Sequence, residues 1–335
     1  MQTIKTVRGA IATPTIANPT SKTFTGVIYD EFGRICRGAQ RNSCASNEWQ
    51  PADADVLALG ADAPINYVSG RSLYLGHYTG HYGHFLLETL ARLWPLLGTS
   101  LRAAGYDRVV FHPFLHKTPN IKQFSPARMS LAAFGIDAGR VLLIKQPLRF
   151  EHLDVPTPLL EINYRVDPVM AKTYELIAQF CMSAPSSRTG ILPRLAGWPS
   201  SGSLNLYVSR RHARGFHPMV NERAVERIFV DAGFKVLHPE RWSFEQQVAL
   251  FQRAEVVAGV EGSALHNSVF MRHGARVINI GTAREPSGDI LNQRLCDSLS
   301  GAVSSHVPFQ GSVVRGHKAV YDLDFLEQAV ASLIK

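Results

Sequence analysis

One segment, residues 254–270, constrains the fold of this chain more than any other. It reads Ala-Glu-Val-Val-Ala-Gly-Val-Glu-Gly-Ser-Ala-Leu-His-Asn-Ser-Val-Phe, and its β-branched run ends at Gly259. Gly262 then marks a turn, Ser263 stands where a helix N-cap is expected, and apolar residues follow with helical spacing. The pattern predicts a strand, a tight turn and a helix over 263–271. Such a turn directs backbone N–H groups and a positive helix end towards a ligand, and phosphate is a common one.

Strand and helix patterns alternate through the rest of the second half. The predicted strands are 204–209, 234–237, 255–258 and 276–280, and the predicted helices are 221–232, 243–252 and 325–334. This alternation indicates a parallel sheet with right-handed crossovers. Ligands of such sheets bind beyond the carboxyl ends of the strands, where this half carries Arg210, Arg211 and the Gly262 turn. The sequence therefore predicts that these residues meet at one sheet edge.

The length of the chain indicates two domains. Its 335 residues exceed what one compact core usually holds. A stretch rich in Pro, Gly and Ser then interrupts the pattern, as is typical of an interdomain linker. We therefore predict an N-terminal domain at 1–185, a linker at 186–203 and a C-terminal domain at 204–335.

The charge of the chain favours a negatively charged partner. The formal net charge is +8 and the pI about 9.4, which suits a nucleic acid, an anionic membrane surface or a small anionic substrate. The basic residues are scattered, which argues against nucleic-acid binding. The four cysteines form no Cys-x-x-Cys, and the N-terminus lacks an apolar signal segment, so a cytoplasmic protein is expected. Peripheral association with the inner face of a membrane is compatible with the basic charge.

The first half contains one group of residues able to carry chemistry. Gly76-His-Tyr-Thr-Gly-His-Tyr-Gly-His-Phe-Leu-Leu-Glu88 is a glycine-broken loop leading into a helix predicted to span 81–101. His81, His84 and Glu88 lie at i, i+3 and i+7, so they share one helix face. The nearly opposite face carries leucines at positions 86, 90, 93 and 97. With the leucines buried, the His/Glu face is predicted to point outwards.

Three interpretations of this face remain open. A carboxylate beside a histidine can act as a general base on a substrate hydroxyl. His77, His81, His84 and Glu88 can together bind a metal ion, although their spacing is loose and matches no zincin pattern. Glu88 and Arg92, four residues apart, can instead form an ion pair on a solvated helix surface.

The basic loop Ser209-Arg-Arg211 suggests a phosphate ligand. It follows a predicted strand, and arginines there can hold a pyrophosphate through paired hydrogen bonds. The alternative is an exposed loop that contacts only water. The chain has neither Gly-x-x-x-x-Gly-Lys-Ser/Thr nor Gly-x-Gly-x-x-Gly, which argues against a P-loop kinase or ATPase and against a dinucleotide dehydrogenase.

Four motifs occur in order between residues 75 and 282. They are Gly83-His-Phe-Leu-Leu-Glu88, Tyr207-Val-Ser-Arg-Arg211, the segment 234–247 and Gly262-Ser-Ala-Leu-His-Asn267. In this order they resemble glycosyltransferase family 61, in its bacterial polysaccharide-biosynthesis branch. The resemblance implies an α/β fold of GT-B type, with two Rossmann-like parallel-sheet domains facing each other across a cleft. It also implies inverting transfer from a nucleotide sugar, usually UDP-linked, to an oligosaccharide or lipid-linked glycan, with no required cofactor or metal ion.

The resemblance further implies roles for single residues. Glu88 would deprotonate the acceptor with help from His84, although His84 and His81 are both near enough to be the base instead. His81 and Tyr82 would contact the acceptor. The residues assigned to the donor phosphates are Ser209, Arg210, Arg211, Gly262, Ser263, Ala264 and Asn267. Glu261 stands where the family often has a histidine. A carboxylate there would repel phosphate, so we assign Glu261, with His266, to sugar or ribose hydroxyls.

Two other classes of protein stay open beside this one. A non-catalytic protein that binds polyanions or glycans would lose affinity steeply with salt. A metal-dependent hydrolase or transferase, centred on the three histidines and Glu88, would lose activity on chelation and regain it with a divalent ion.

Overall fold

A computed structural model of the chain describes residues 2–18, 20, 23–41, 50–51, 65–114, 118–183, 204–212, 219–314 and 318–334. Its contacts divide the chain into two compact units, Met1–Leu176 and Ile177–Lys335, here called unit 1 and unit 2. The predicted linker at 186–203 lies outside the described residues. None of the described helices is both long enough and apolar enough to cross a membrane.

The described elements of unit 1 are mostly short strands. The strands are β1 Ile4–Arg8, β2 Ile11–Ala12, β3 Ile16–Asn18, β4 Thr23–Thr25, β5 Ile28–Tyr29, β6 Gln50–Pro51, β7 Asn66–Tyr78, β8 Arg108–Pro113, β9 Val141–Leu143, β10 Leu148–Pro156, β11 Leu160–Glu161 and β12 Arg165–Val166. The α-helices are α1 Tyr82–His84, α2 Ser125–Ala132 and α3 Met170–Ser183, and the unit boundary falls within α3.

The main sheet of unit 1 is mixed. Its strand order is β5-β2-β10-β7-β8-β9, and β1 also pairs with β10. β10, β7, β8 and β9 are parallel, whereas β1 and β2 run antiparallel to β10, and β5 runs antiparallel to β2. The prediction of a purely parallel N-terminal sheet is therefore wrong. The chain forms the β3–β4 hairpin between β2 and β5, and without a crossover helix there the pairing is antiparallel.

The parallel part of this sheet has a switch point. After β7 the chain continues through β8 and β9 on one side, and it returns through β10 on the other side of β7. The carboxyl ends of β7 and β10 therefore flank the place where the strand order reverses. Ligands of open α/β sheets bind at such places.

Unit 2 contains an all-parallel sheet, as the alternating pattern predicts. Its strands are β13 Leu204–Val208, β14 Lys235–Leu237, β15 Ala254–Val260, β16 Arg276–Ile280 and β17 Val303–Val307, followed by the hairpin β18 Gly311–Val314 and β19 Lys318–Tyr321. The described α-helices that follow β13 are α4 Glu222–Asp231, α5 Phe244–Arg253, α6 Leu291–Ser300 and α7 Leu323–Ile334. The strand order β14-β13-β15-β16-β17 places a switch point between β13 and β15.

Apolar faces of these elements form the core of unit 2. The Phe229 ring of α4 stacks on Tyr207 of β13, with 4.3 Å between the ring centroids. The capping box predicted at Ser243 and Gln246 is present and starts α5. Burial of these rings fixes β13 and α4 together, and thereby fixes the loop between them.

The helix predicted over 81–101 is not continuous. The segments observed there are α1, a π-helix at Phe85–Thr89 and a 3₁₀ helix at Trp94–Leu96. Groups from elsewhere occupy carbonyl oxygens of this stretch, because the Tyr174 hydroxyl donates to Leu86 O and the Leu159 N–H donates to Ala91 O. The predicted leucine face is buried at Leu86, Leu90 and Leu93.

The helix predicted over 263–271 is shorter and tighter than expected. It is a 3₁₀ segment, Leu265–Phe270, and its N-cap is Ala264 instead of the predicted Ser263. The Gln293 amide donates to the first carbonyl of this segment at 3.2 Å, so that carbonyl has a partner without an α-helical bond. The predicted α-helix is therefore replaced by a 3₁₀ segment that starts after Ala264.

Candidate functional site

The first candidate site lies where β7 and β10 end, at the switch point of unit 1. An open pocket there has about 370 Å³ of empty volume. Its lining residues are Gln40, Arg41, Gly76, His77, Glu88, Arg92, Pro158, Leu160 and Glu161. Gly76 has a positive φ of 87°, and a Cβ there would lie 3.2 Å from Arg92 Nε. Glycine therefore allows the strand and the Arg92 guanidinium to approach this closely.

Glu88 is held by two partners beside this pocket. Arg41 Nε donates to Oε1 at 2.6 Å, and Arg41 Nη2 donates to Oε2 at 3.0 Å. His84 Nδ1 lies 2.5 Å from Oε2. The Arg41 side chain is 3% exposed and that of Glu88 14% exposed, so water competes little for these charge-assisted bonds.

The surroundings keep the Glu88 carboxylate ionised. Burial raises the pKa of Glu88, but the hydrogen bond with His84 and the positive charge of Arg41 outweigh this effect. The net pKa lies below the ordinary value of 4.5. Glu88 is therefore a fixed negative charge at neutral pH.

The Glu88–Arg92 ion pair that the spacing allows is not formed. Arg92 is 5% exposed, and its guanidinium donates to the carbonyl oxygens of Pro156 and Gln40. It also lies 5.8 Å from the centroid of the Tyr74 ring. Arg92 thus ties the end of β10 to the residues before Arg41, and the interpretation as a solvated helix face is wrong.

The histidines of the motif have different surroundings. The rings of His81 and His84 are 4.7 Å apart, and Tyr82 between them is half-buried. His77 is 7% exposed and stacks on His112 with 5.5 Å between centroids. Burial, with the nearby His112, holds the pKa of His77 well below its ordinary value. Within the described parts of the chain, no group of three or more His, Cys, Asp or Glu side chains is arranged to hold a metal ion.

The second candidate site lies where β13 and β15 end, at the switch point of unit 2. Arg210 follows β13, and its Nη1 donates to Glu261 O at 2.7 Å. Gly262 follows β15 with a φ of 153°, and a Cβ there would lie 3.2 Å from Arg210 Nη1. Two motifs predicted to meet at one sheet edge do so, and a glycine permits the contact.

An open pocket of about 360 Å³ lies beside Arg210. Its lining residues are Arg210, Met219, Val260, Thr282, Ala283, Arg284, Ala319 and Tyr321. Sequence reasoning missed Arg284, although Arg284 follows β16 much as Arg210 follows β13, and that position was the available signal. Thr282 Oγ1 accepts the N–H groups of Arg284 and Glu285, at 3.3 Å and 3.1 Å, which shapes the loop.

Glu261 differs from Glu88 in its electrostatic surroundings. Burial raises the pKa of Glu261, and Arg210 opposes this only in part, so the net pKa lies above its ordinary value. The backbone of Glu261 is fixed, because its N–H donates to Ile280 O at 2.9 Å and its carbonyl accepts from Arg210.

Ser209 and Arg211 are bound to carboxylates of α4. Ser209 is 2% exposed, and its Oγ lies 3.2 Å from Glu222 Oε1 and 2.7 Å from Glu226 Oε1. The N–H of Arg210 donates to Glu222 Oε1 at 2.5 Å. Arg211 Nη1 donates to Glu226 Oε2 at 3.1 Å. These two carboxylates therefore hold the backbone that presents Arg210.

The other residues assigned to the donor lie in or behind the glycine turn. Ser263 and Ala264 are half-buried in the turn, and His266 is half-buried just after it. Asn267 is fully buried and donates to Gln247 Oε1 at 3.1 Å. The structure thus places the Asn267 side chain inside the unit, where it supports the turn from behind.

The family of the chain follows from comparison with known proteins. The family model described as glycosyltransferase 61 matches residues 82–278, more than half of the chain. The chain belongs to glycosyltransferase family 61. Among curated proteins, no match to this family 61 member was found. Among solved structures, a glycosyl transferase of family 9 from Veillonella parvula is similar to it over 74% of this chain and 88% of the other, at 10% identity and a TM-score of 0.36.

Each candidate site of this family 61 glycosyltransferase contains residues of the matched range and residues outside it. Glu88, Arg210 and Gly262 lie within residues 82–278, whereas Arg41 precedes them. Arg41 is 47 positions from Glu88 in a weakly patterned segment. No sequence signal connects these two residues, so only the structure could reveal their ion pair.

Proposed function

We propose that this glycosyltransferase moves a sugar from a nucleoside-diphosphate donor, UDP-linked by preference, to a hydroxyl of a glycan acceptor, with inversion. The observation that carries the proposal is the different chemistry of the two switch points. One holds a histidine–carboxylate pair and the other an arginine beside a glycine turn. An inverting displacement needs both, because one group activates the acceptor and the other stabilises the leaving diphosphate. The two-domain GT-B architecture is part of the same proposal.

The donor is proposed to bind at the switch point of unit 2. The Arg210 guanidinium, the N–H groups of Gly262 to Ala264 and the Arg284 guanidinium supply positive charge for a diphosphate. Glu261 would accept hydrogen bonds from ribose or sugar hydroxyls, with His266 beside it. Guanidinium groups neutralise the leaving diphosphate without a metal ion, which supports a transfer reaction that needs no cofactor.

The acceptor is proposed to bind at the switch point of unit 1. His84 and Glu88 would provide proton transfer, and His81 and Tyr82 would contact the sugar. A glycan of polysaccharide biosynthesis, free or lipid-linked, suits this proposal. The net charge of +8 supports a cytoplasmic protein held peripherally at an anionic inner membrane surface.

The test follows UDP release by the purified full chain. The donor probes are UDP-glucose, UDP-galactose, UDP-N-acetylglucosamine and UDP-xylose, each with a panel of oligosaccharides and with or without EDTA. We expect one donor to give acceptor-dependent UDP release that EDTA leaves unchanged, and a product with inverted anomeric configuration by NMR. Retained configuration would contradict the inverting mechanism. Binding of glycans or polyanions without UDP release, weakened steeply by salt, would favour the non-catalytic class.

A further inference from the structure

Both carboxylate oxygens of Glu88 are already engaged. Arg41 binds them through two nitrogens, at 2.6 Å and 3.0 Å, and His84 Nδ1 lies 2.5 Å from Oε2. Hydrogen bonds between charged groups are strong where water is excluded. These three bonds leave about one of the four lone-pair positions of the carboxylate, on Oε1, for the proton of a sugar hydroxyl.

The same partners make Glu88 a weak base. Burial raises its pKa, and the hydrogen bond with His84 and the charge of Arg41 bring the net pKa below the ordinary 4.5. A general base works best when its pKa lies near the operating pH. A carboxylate with a lowered pKa is better suited to stabilising a nearby positive charge than to taking a proton from a sugar hydroxyl.

The hydrogen bond to Glu88 fixes the tautomer of His84. An ionised carboxylate has no proton to donate, so Nδ1 of His84 carries the hydrogen of this bond. The lone pair of the neutral ring is then on Nε2. The His84 side chain is 23% exposed, so the ring is partly accessible to a ligand. A histidine oriented by a carboxylate through one nitrogen is an effective base at the other.

The neighbouring groups do not offer a better base. Among the described residues, the other titratable and charged groups around the pair include His81, Arg41, His77, Arg92 and Glu161. His77 is buried against His112, and Glu161 is paired with Arg165. His81 Nδ1 accepts the backbone N–H of His84 at 3.5 Å, so in the neutral His81 ring the other nitrogen carries the hydrogen and offers no lone pair.

We propose that His84, and not Glu88, is the catalytic base of this glycosyltransferase, and that Glu88 and Arg41 are positioning residues. This inference rests on the proposed function. The acceptor hydroxyl gives its proton to Nε2 while its oxygen bonds to the anomeric carbon. The bond from that carbon to the phosphate oxygen breaks, and its electron pair leaves with the diphosphate. Glu88 stabilises the imidazolium, which later returns the proton to water, and Arg41 keeps Glu88 ionised.

The first test measures kcat against pH for the full chain, with the active UDP-sugar as donor. We expect the acidic limb to lie above pH 4.5, because protonation of a carboxylate whose pKa is below that value cannot produce such a limb. Glu88→Gln should keep an acidic limb at a reduced kcat, because His84 is still present but has lost the carboxylate that orients it. A limb at or below pH 4.5, the ordinary carboxyl value, would assign the base to Glu88 and overturn the inference.

The second test uses chemical rescue. His84→Ala should lower kcat by about 10²–10⁴-fold, the usual contribution of a general base, with the KM for the donor unchanged. Free imidazole should restore part of this activity. His152→Gln is the matched control, because His152 lies in β10 outside both candidate sites, and it should keep the wild-type rate. Rescue of Glu88→Ala by formate, without rescue of His84→Ala by imidazole, would overturn the assignment.

A third readout separates this inference from the proposed function. A wild-type chain that neither binds UDP nor releases it from any donor would contradict the proposed function itself. Nitrogen-15 NMR of the histidine rings then still tests the arrangement from which the inference is drawn, a His84 ring protonated on Nδ1. It should show a ring protonated on Nδ1 whose signal disappears in His84→Gln. A His84 ring protonated on Nε2 would overturn the inference whatever the turnover.

Discussion

Units 1 and 2 place their candidate residues at the same topological position but hold charge there in different ways. In unit 1 the carboxylate of Glu88 is matched by Arg41 and His84, and its pKa is lowered. In unit 2 the carboxylate of Glu261 is buried and its pKa is raised, while Arg210 bonds to a backbone carbonyl. A switch point therefore determines only where a ligand can bind. The residues around it decide whether the site moves protons or holds an anion.

The two sites also differ in how they are built. Arg210 and Gly262 stand directly after regular parallel strands, and α4 holds the first of these loops through Glu222 and Glu226. Glu88 stands in a short π-helical segment, and its main partner comes from a distant part of the chain. π-Helical segments occur frequently at functional sites. We therefore expect substitutions in unit 1 and unit 2 to affect different properties of the protein.

The largest expected effect is on stability in unit 1. Arg41→Gln leaves the Glu88 charge buried with His84 alone, and breaking a buried ion pair costs about 3–5 kcal/mol of unfolding free energy. Urea denaturation at pH 7 measures this loss. Arg34→Gln is the control, since Arg34 is 71% exposed in its pair with Asp30, and it should leave the transition almost unchanged.

The cost of Arg41→Gln should depend on pH. The pKa of Glu88 is lowered in the folded state, so its stabilising contribution is present above the ordinary value of 4.5 and is lost as the pH falls through the folded value. The gap between wild type and variant should narrow on acidification below pH 4.5. A gap that stays constant from neutral to strongly acidic pH would show that Glu88 is not the partner that matters.

The next effect is on turnover in unit 2. Arg210→Gln removes the guanidinium beside the glycine turn and should lower kcat about 10²–10³-fold, as loss of a transition-state anion contact does elsewhere. Initial rates of UDP release measure it. Arg211→Gln is the matched control, because that guanidinium is bound to Glu226, and it should cost less than about tenfold. Equal losses in the two variants would mean that the loop as a whole matters and Arg210 does not.

A smaller effect is expected behind the Arg210 loop. Ser209→Ala removes the hydroxyl between Glu222 and Glu226, and unsatisfied buried acceptors cost about 1–3 kcal/mol. Urea denaturation measures this change. Ser298→Ala is the control, because its hydroxyl is exposed and donates to the Leu295 carbonyl of its own helix. An unchanged Ser209→Ala would indicate that the two carboxylates do not depend on the serine.

The smallest expected effect is on UDP affinity, and it distinguishes backbone strain at a glycine from close contact with Arg210. Gly262→Ala and Gly233→Ala both put a side chain at positive φ, but only the first would press on Arg210, and nothing lies within 4 Å of a Cβ at Gly233. Both should lose some stability, about 1–3 kcal/mol. Gly262→Ala alone should weaken UDP binding, on the order of tenfold or about 1.4 kcal/mol. Equal UDP affinity in the two variants, measured by calorimetry, would contradict the close contact.

The sequence predicts unit 2 better than unit 1, for physical reasons. The regular alternation of strand and helix patterns predicts the parallel sheet. Because the carboxyl ends of parallel strands meet at one sheet edge, this sheet also predicts that Arg210 and Gly262 lie close together. In unit 1 the motif around Glu88 is visible, but its helix is interrupted because carbonyls such as Leu86 O bond to groups far away in sequence. Local periodicity contains no information about such partners, nor about the Arg41 that pairs with Glu88.

Calorimetric UDP binding to wild type, Arg210→Gln and His84→Gln, with UDP release measured on the same samples, tests directly which unit binds the donor. The proposed function assigns the donor to unit 2 and the proton transfer to unit 1. It predicts that His84→Gln binds UDP as wild type does, that Arg210→Gln binds it much more weakly, and that both lose turnover. Loss of UDP binding in His84→Gln, or unchanged UDP binding in Arg210→Gln, would contradict this division.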